Sequence, residues 1–438
     1  MENGFGADFL WGAASASAQV EGGWDADGRT PSIWDVAKKR HVKHGDNCHV
    51  GCDHYHHMKE DVALMKEMGL KSYRFSISWS RVIPQEGKVN EKGLRFYSDL
   101  VDELLANGIE PLVTIFHWDL PVWVQKKGGW MSRATVPLFR EYTRVVVEAL
   151  SDRVQWWMPM NEPQCFIMNG HMQGMHAPFK HYYLALVKLT KVCMEAYAES
   201  VDAIRENAKR PPKVGMAMAS GAFTPKSTSP VDVEEARHKS FYFGTGVMSN
   251  RWWCDPMLLG KGVSAYGVYH ISDAFAKKVC RKLDFLGLNL YEPQNYAGWG
   301  GDGTALPFGA PRSSIGWVVD GSVLYWAPKF MHERYGLPIL ISENGFADND
   351  FVCLDGKVHD PLRTDFMYRY LRELKKVIQD GVPVIGYQHW SVMDNFEWAE
   401  GFDARFGLIY VDYSSGKRTI KDSGYEYKKI IESNGECL

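Results

Sequence analysis

Two glutamates follow bulky apolar runs in this chain. The run WWMPMNEPQ, residues 156–164, passes directly into Asn161 and Glu162, and the run PILISE, residues 338–343, ends in Glu343. Taken singly, either residue would more often be a surface or ion-paired carboxylate. Together they match the two carboxyl groups that hydrolysis of a glycosidic bond requires: one is protonated to assist the leaving oxygen, and the other is ionised to attack or to activate water.

The neighbours of the two glutamates indicate which carboxyl is the acid. We expect Arg74 and Tyr291 to hold Glu343 as an anion by charge and hydrogen bonding, which favours its use as a nucleophile. Glu162 lies among apolar neighbours and faces a second carboxylate, so its pKa is expected to rise and keep it protonated. Once a sugar is bonded to Glu343, that negative charge is gone, and Glu162 can act as the base for an incoming water.

Polar and aromatic residues collect at one end of the predicted strands. They are Gln19, Arg74, His117, Trp118, Asn161, Asn289, Tyr291 and Trp390. Core packing alone does not require such residues at the same end of separate strands. The arrangement is typical of a site for a polyhydroxylated ligand with aromatic stacking, and the 16 Trp and 21 Tyr of the chain agree with it.

Strand-like and helix-like segments alternate along the chain, and these elements must position the site. Eight apolar, β-prone runs occur at residues 9–15, 72–78, 111–117, 154–160, 213–219, 285–291, 338–343 and 384–390. Most are near-continuous, as expected of parallel strands buried on both faces. A βα unit that occurs eight times predicts an α/β fold of the (β/α)8 TIM-barrel type, with an open doubly wound sheet as the alternative.

Amphipathic stretches lie between these runs. Helices are predicted over residues 54–68, 91–107 and 362–380. For the first helix, Asp53 is the expected N-cap and Gly69 the expected C-terminal stop.

The longest gaps between strand-like runs are rich in Gly, Pro, Ser and Trp. They span residues 16–52, 220–269 and 292–320. On a barrel such gaps are loops at the C-terminal face, where active sites are built. No linker or low-complexity tract divides the chain, so residues 1–438 are expected to form a single catalytic domain.

Charge and composition argue against several classes of protein. A formal net charge of −3 and scattered Lys and Arg provide no basic surface for nucleic acid. The N-terminal segment shows no secretion signal, and no apolar run is long enough to cross a membrane. Eight widely spaced cysteines do not resemble a disulfide framework, which favours a reducing, cytoplasmic location.

Two stretches partly match known motifs for metal or nucleotide binding. The run HGDNCHVGCDHYHH, residues 44–57, gathers His and Cys but lacks the spacing of a zinc knuckle, and its histidines lie within pairing range of acids on a helix. The run GWGGDG, residues 298–303, matches a glycine-rich nucleotide motif but opens no amphipathic helix. Neither a metal nor a cofactor is therefore expected.

Six motifs occur in order along the chain. They are FLWGAASASAQVEG from residue 9, YRFSISWSR at 73–81, HWDLP at 117–121, NEP at 161–163, SENG at 342–345 and FGLIYVDY at 406–413. In this order they resemble the family 1 glycoside hydrolases, the β-glucosidase group, over nearly the whole chain. The resemblance implies a retaining β-glycosidase that removes terminal non-reducing β-D-glucosyl residues, and also galactosyl or fucosyl residues, from β-glucosides and short oligosaccharides through a covalent glycosyl-enzyme.

The resemblance also implies roles for the matching residues. Glu162 is the acid/base and Glu343 the nucleophile, in agreement with the reasoning from their neighbours. The implied substrate-binding residues are Gln19, His117, Trp118, Asn161, Asn289, Tyr291, Trp390, Glu397, Trp398 and Phe406, with Arg74 in support. Within this set Trp390 is the floor beneath the sugar, and Asn161 binds the 2-hydroxyl, an interaction that strengthens in the transition state.

Glu397 distinguishes branches of this family. A carboxylate near O4 and O6 of the sugar accepts hydrogen bonds from hydroxyls but repels a phosphate, so unphosphorylated substrates are expected. The chain departs from the common pattern at Gln164, Glu292, Pro293 and Phe179, where the leaving group is expected to lie. Two alternatives stay open: a transglycosidase that uses the same intermediate, and a non-catalytic sugar-binding barrel.

Overall fold

Eight parallel strands close into a barrel in the computed structural model, which describes residues 4–242, 246–295 and 308–438. The strands are β1 Leu10–Ala14, β2 Ser72–Ser76, β3 Glu110–Phe116, β4 Trp156–Met160, β5 Lys213–Ala219, β6 Phe285–Asn289, β7 Ile339–Asn344 and β8 Val384–Trp390. Each strand pairs in parallel with the next, and β8 pairs with β1. The predicted (β/α)8 barrel is confirmed.

Burial on both faces explains why the strands appear as apolar runs in the sequence. Every residue of β2, β4 and β7 is buried. A barrel strand packs one face on the barrel interior and the other on the surrounding helices, so both faces require apolar side chains. All eight predicted runs correspond to barrel strands, and no predicted end is more than two residues from the observed one.

Helices surround the barrel and also occur within its loops. The longer α-helices are His54–Glu67, Glu91–Ala106, Thr135–Leu150, Leu186–Asn207, Pro230–Tyr242, Asp273–Val279, Val323–Tyr335, Pro361–Gln379 and Asp422–Glu432. Short α-helices are Ser17–Val20, Trp79–Val82, Val122–Lys126, Pro163–Cys165 and Asn250–Cys254, and Phe166–Met172 and Asp255–Leu259 form π-helical turns. Two small hairpins pair Val263–Ala265 with Tyr269–Ile271 and Ile409–Val411 with Arg418–Ile420.

The three helices predicted from periodicity are confirmed, and Asp53 occupies the predicted N-cap position. Asp53 directly precedes the helix His54–Glu67, but its side chain makes no capping hydrogen bond. Its Oδ1 lies 2.6 Å from Nδ1 of His56 instead. Gly69 follows the end of that helix with a φ of +74°, a left-handed conformation that glycine adopts readily.

The gap after β5 is more structured than predicted. It contains the helix Pro230–Tyr242, of which only Ala236, Ser240 and Phe241 are buried. A helix that packs so few residues on the protein carries no apolar stripe, so periodicity in the sequence does not reveal it.

The close approach of two chain segments at the C-terminal end of the barrel depends on Gly345. A Cβ atom added to this glycine would overlap the carbonyl oxygen of Trp390. Glycine therefore lets the segment after Glu343 lie directly against the end of β8, which brings the ends of β7 and β8 together.

Histidines of the His-rich segment pair with acidic side chains. Nδ1 of His54 lies 2.7 Å from Asp61, and Nδ1 of His57 lies 2.9 Å from Glu60. Across the described residues, no group of three or more His, Cys, Asp or Glu side chains is placed to hold a metal ion. The glycine-rich run at 298–303 lies outside the described residues.

The described helices include none that is both long and apolar enough to cross a membrane. The first and last strands of the barrel, β1 and β8, pair with each other although they come from opposite ends of the chain. For this reason we propose that residues 1–438 form a single domain.

Candidate active site

Most of the predicted site residues line one cavity of about 380 Å³ at the C-terminal ends of the strands. From the predicted set, the lining comprises His117, Trp118, Asn161, Glu162, Asn289, Tyr291, Glu343, Trp390, Glu397 and Trp398. This volume lies at the lower end of the range for small-molecule sites. The cavity therefore fits a ligand of about the size of one or two sugar rings.

Glu162 lies where β4 passes into a short helix. Its backbone nitrogen donates to the carbonyl of Ala217 at 2.8 Å, and its φ of +42° is uncommon for a residue with a Cβ atom. Pro163 begins the helix Pro163–Cys165, at a position where its missing N–H is not needed. Backbone strain of this kind is typical of functional positions that the surrounding structure holds in place.

The surroundings of Glu162 favour its protonated form. Burial and the neighbouring Glu343 carboxylate raise the pKa of Glu162 to about 8. Three weaker influences lower it: Asn289 Nδ2 donates to Oε1 at 2.8 Å, and the Cys165 thiol and the charge of Arg74 act in the same direction. Glu162 therefore carries a proton at neutral pH, as its sequence neighbours predict.

Glu343 is held by a cation and a hydroxyl group. Arg74 Nη1 donates to its Oε1 at 2.6 Å, and the Tyr291 hydroxyl donates to its Oε2 at 2.8 Å. Burial raises the pKa of Glu343 above its ordinary value, and Arg74 and Tyr291 oppose that rise because they stabilise the anion. Within the described residues, Glu162 receives hydrogen bonds from the uncharged groups of Asn289 and Cys165, so the proton of the pair resides on Glu162.

Asn161 fixes the tautomer of His117. Its Oδ1 accepts hydrogen bonds from Arg74 Nη2 at 2.6 Å and Asn289 Nδ2 at 3.0 Å, which identifies its other amide atom as the nitrogen. That nitrogen lies 3.0 Å from His117 Nε2, so Nε2 must be the acceptor. Burial lowers the pKa of His117, which places its single proton on Nδ1, an atom without a partner among the described parts of the chain.

Glu397 is a third carboxyl group in the same cavity. Burial and the charge of Glu343 raise the pKa of Glu397 to about 8, against opposing hydrogen bonds that include Gln19 Nε2 to Oε2 at 3.3 Å. Glu397 is therefore neutral at pH 7 and can both donate and accept hydrogen bonds.

Aromatic rings form one wall of the cavity. The ring of His117 lies 5.7 Å from that of Trp390, and Trp118 lies 4.8 Å from Trp398. Trp118 and Trp398 both have positive φ angles, +75° and +51°. Trp118 Nε1 donates to the Asn161 carbonyl at 3.0 Å, which anchors this wall to the end of β4.

Three residues of the predicted set lie behind the lining. Arg74 lies in β2 and donates to Glu343. Gln19 lies in the helix Ser17–Val20 and donates to Glu397. Phe406 is buried in a small cluster with Trp390. All three contact lining residues and are placed to position them, and Oε1 of Gln19 has in addition no partner within the described residues.

The structure corrects the expectation that Gln164 faces the leaving group. Gln164 is fully buried, and its Nε2 donates to the Ala219 carbonyl at 2.9 Å. The following residue, Cys165, lines the cavity instead. Phe179 is not among the lining residues and stacks on His41 at 4.0 Å, whereas Glu292 does line the cavity.

The sequence analysis missed much of the lining beyond the paired glutamates. These residues are Cys165, Asn169, Met175, His176, Ala219, Ser220, Met248, Ser249, Gln294, Ile315, Trp317, Ala399 and Glu400. Most come from the long loops after β4, β5, β6 and β8. The composition of the gaps after β5 and β6 indicated that they build the site but did not indicate which side chains face it, and no such signal marked the loops after β4 and β8.

Comparison with known proteins agrees with this geometry. The family model described as glycosyl hydrolase family 1 matches residues 1–436. Beta-glucosidase A of Thermotoga maritima is 40% identical over 98% of both chains, and 1,4-beta-D-glucan glucohydrolase of Thermotoga neapolitana is 40% identical over 98% of this chain and 99% of its own. The structure of a Thermotoga maritima beta-glucosidase in complex with glucoimidazole superposes with a TM-score of 0.88 at 37% identity, covering 99% of this chain and 100% of that one. The chain belongs to glycosyl hydrolase family 1.

Proposed function

We propose that this β-glucosidase removes terminal non-reducing β-D-glucosyl residues from β-glucosides and short oligosaccharides by double displacement, with retention of configuration. The observation that carries the proposal is the unequal environment of two carboxyl groups in one cavity. Glu162 is protonated, whereas Glu343 is held by Arg74 and Tyr291. A pair of this kind supplies an acid and a nucleophile at the same time.

In the first step, a Glu343 oxygen attacks the anomeric carbon while Glu162 gives its proton to the glycosidic oxygen. The bond to the leaving group breaks, and the sugar is bonded to Glu343 as an ester. The negative charge that raised the pKa of Glu162 is then gone, so that pKa falls. In the second step Glu162 takes a proton from water, the oxygen of which displaces Glu343 from the sugar.

The remaining predicted residues are proposed to hold the glucosyl ring. The free Nδ1–H of His117 donates to a sugar hydroxyl, and the unpaired Oε1 of Gln19 accepts from another. Glu397 binds two hydroxyls, and Asn161 keeps one amide hydrogen for the 2-hydroxyl. Trp390 supplies an apolar surface beneath the ring.

Unphosphorylated glucosides are the proposed substrates. The described cavity lining contains five carboxyl groups and no Lys or Arg. A phosphate group would enter without a cation to pair with it, which is unfavourable in a buried site. An aryl-phospho-beta-D-glucosidase of Bacillus subtilis is 34% identical to this chain, so a test with both classes of substrate is informative.

Activity on galactosyl or fucosyl residues is proposed as a lesser activity of the same site. A bifunctional beta-D-glucosidase/beta-D-fucosidase of Bifidobacterium breve is 34% identical over 98% of this chain. Kinetic constants for aryl β-glucoside, β-galactoside and β-fucoside test this directly. A β-glucoside preference is expected, and no measurable turnover of the other two would contradict the lesser activity.

Retention is tested by following hydrolysis of an aryl β-glucoside by proton NMR. The β-anomer of glucose is expected first, before mutarotation, and an initial α-anomer would contradict the mechanism. Glu343→Gly should abolish hydrolysis. Glu162→Ala should lose most activity on substrates with poor leaving groups and retain more on those with good leaving groups; equal losses on both would contradict the acid role.

All eight cysteines are free thiols in the structure. This state agrees with the cytoplasmic location that we propose. A fusion to a fluorescent protein would check it, and export of the fusion from the cell would contradict it.

A further inference from the structure

Five carboxyl groups line the described part of the cavity, and one of them has no task in the proposed reaction. Glu162 and Glu343 are the proposed acid and nucleophile, and Glu397 is proposed to bind the glucosyl ring. Glu400 is exposed and pairs with a surface lysine. Glu292 is the remaining carboxyl group, and neither the reaction nor the glucosyl contacts use it.

The backbone of a neighbouring loop fixes Glu292 at the cavity. Its Oε2 accepts a hydrogen bond from the Val318 backbone nitrogen at 2.9 Å. Burial raises the pKa of Glu292, and this hydrogen bond and the charge of Arg312 oppose the rise because they stabilise the anion. Pro293 is buried, whereas Glu292 and Gln294 on either side of it both line the cavity. The loop after β6 therefore turns both polar side chains toward a ligand.

Within the described lining, no side chain provides a positive charge to pair with Glu292. The lining contains no Lys or Arg. Burial lowers the pKa of His117 well below its ordinary value and that of His176 to about 4, so both rings are neutral at pH 7. Arg312 is exposed, lies outside the lining and donates to the Gly316 carbonyl at 2.9 Å. A positive charge beside Glu292 in the cavity must therefore come from a ligand.

An indole ring stands next to this carboxyl group. Trp317 directly precedes Val318, the residue that binds Glu292, and it lines the cavity. Its ring lies 4.8 Å from the ring of Tyr291, which holds it at the end of β6. An aromatic face attracts a cation, and a carboxylate forms strong hydrogen bonds with one. The two groups together favour a positively charged ligand.

The hydrogen-bonding groups at this point also match a protonated amine. Oε1 of Gln294 is buried and has no partner within the described residues, so it adds a second acceptor near the Glu292 carboxyl group along the loop. A protonated amine has three N–H donors and no acceptor. It can therefore satisfy acceptors that a group without N–H or O–H donors leaves unpaired.

The position of Glu292 in the barrel assigns it to the leaving group. The proposed glucosyl contacts of Gln19, His117 and Glu397 come from the segments after β1, β3 and β8, whereas Glu292 follows β6. Because Glu162 must protonate the glycosidic oxygen, the leaving group lies on the side of Glu162 away from the glucosyl contacts.

We infer that the cavity prefers β-glucosides whose leaving group carries a protonated amine, which pairs with the Glu292 carboxylate beside the Trp317 ring. The inference rests on the proposed function and adds the charge of the leaving group, which that function leaves open. Glu292 is then a specificity-determining residue.

The test uses three aryl β-D-glucosides that differ in the charge of one substituent. They are the p-(aminomethyl)phenyl glucoside, which is cationic at pH 7, the neutral p-(hydroxymethyl)phenyl glucoside and the anionic p-(carboxymethyl)phenyl glucoside. Values of kcat/KM at pH 7 are compared between the wild type and Glu292→Gln, which keeps an oxygen for the Val318 N–H. Differences in the intrinsic reactivity of the leaving groups cancel in this comparison because both enzymes act on the same three substrates.

The wild type should favour the cationic over the neutral glucoside by about ten-fold, as expected for one hydrogen bond between charged groups. Glu292→Gln should reduce that ratio to about one and change kcat/KM on the neutral glucoside by less than about two-fold. Glu292→Lys, which reverses the charge, should favour the anionic over the cationic glucoside.

Glu110→Gln is the matched control. Burial also raises the pKa of Glu110, which is partly buried, but this residue begins β3 at the opposite end of the barrel and does not line the cavity. The variant should keep the wild-type preference among the three glucosides.

Each preference is a ratio measured within one protein, so a general loss of activity does not alter it. A wild type that does not favour the cationic glucoside, or a preference that survives in Glu292→Gln, would overturn the inference. A folded Glu292→Gln protein that hydrolyses none of the three would also overturn it, because Glu292 would then act in the reaction itself. Failure of the wild type to hydrolyse any of the three would overturn the proposed function instead.

Discussion

The guanidinium group of Arg74 donates a hydrogen bond from Nη1 to Oε1 of Glu343 at 2.6 Å, and both side chains are almost completely buried. Removing one member of such a pair leaves the other charge buried without a partner, which is strongly destabilising unless that group changes its protonation state. Glu343 can do so by taking up a proton, and a protonated carboxyl is a poor nucleophile.

Arg74→Met is therefore expected to lower kcat by about 10²–10³-fold, as found when one charge-stabilising donor is lost from an active site. The acid limb of the pH–rate profile should also move to higher pH, because the pKa of Glu343 rises. Steady-state kinetics from pH 4 to 9 would measure both effects. An unchanged profile would contradict the role of Arg74, and Arg140→Met, which removes a surface arginine, is the control.

The alkaline limb of the pH–rate profile is expected to come from Glu162. Its pKa of about 8 in the free enzyme means that kcat/KM falls as pH rises through that value, because the acid loses its proton. In Glu162→Ala, assayed with a good leaving group, this limb should disappear. If it persists unchanged, another group controls it, and Glu397 is the next candidate.

Glu397 should make the empty enzyme less stable at alkaline pH. Its pKa is raised in the folded state to about 8, so the stability that it contributes is present below its unfolded pKa and is lost as pH rises through about 8. Glu397→Gln removes this dependence. Urea unfolding should show variant and wild type alike near pH 4 and the variant more stable by roughly 2 kcal/mol or more at pH 9. Parallel pH profiles would refute the expectation.

Gly345→Ala is expected to lower both stability and activity. The new methyl group overlaps the Trp390 carbonyl oxygen, so the segments after β7 and β8 must separate. Overpacking of this kind costs about 1–3 kcal/mol, and the displacement moves Glu343 relative to Glu162. Thermal melting and kcat measure the two effects. Gly6→Ala, with open space around the added atom, is the control.

A 6-phospho-β-glucoside should be a poor substrate. Phosphate carries about two negative charges at neutral pH and would approach the Glu343 carboxylate with no Lys or Arg in the described lining. We expect its kcat/KM to be at least about 100-fold below that of the unphosphorylated glucoside. Comparable values for the two substrates would show that the binding site reaches a cation outside that lining.

The strands and the two glutamates could be predicted because their constraints are local. A strand buried on both faces must be apolar throughout, and the change from apolar to polar residues at Asn161 and Glu162 marks where β4 ends. The prediction that Glu343 needs a cation required only simple electrostatics. Arg74 could be predicted as that cation because it lies within another strand-like run, and in a barrel the end of one strand lies near the middle of others.

The leaving-group side could not be predicted in the same way. His176 and Gln294 lie on loops, where no period relates sequence position to side-chain direction. Gln164 illustrates the problem, since it directly follows NEP in sequence yet points into the protein, while Cys165 faces the cavity. Tertiary packing decides such orientations, and adjacency in sequence does not.

The hydrogen bond between Gln19 and Glu397 spans a sequence separation of 378 residues, because β1 and β8 close the barrel. Contacts so distant along the chain form late in folding, since the entropy of closing a long loop must be overcome first. The part of the cavity beside Glu397 therefore cannot exist until the last strand has joined the first. In a refolding experiment, helical circular dichroism should return before hydrolysis does, which makes enzyme activity a reporter of barrel closure.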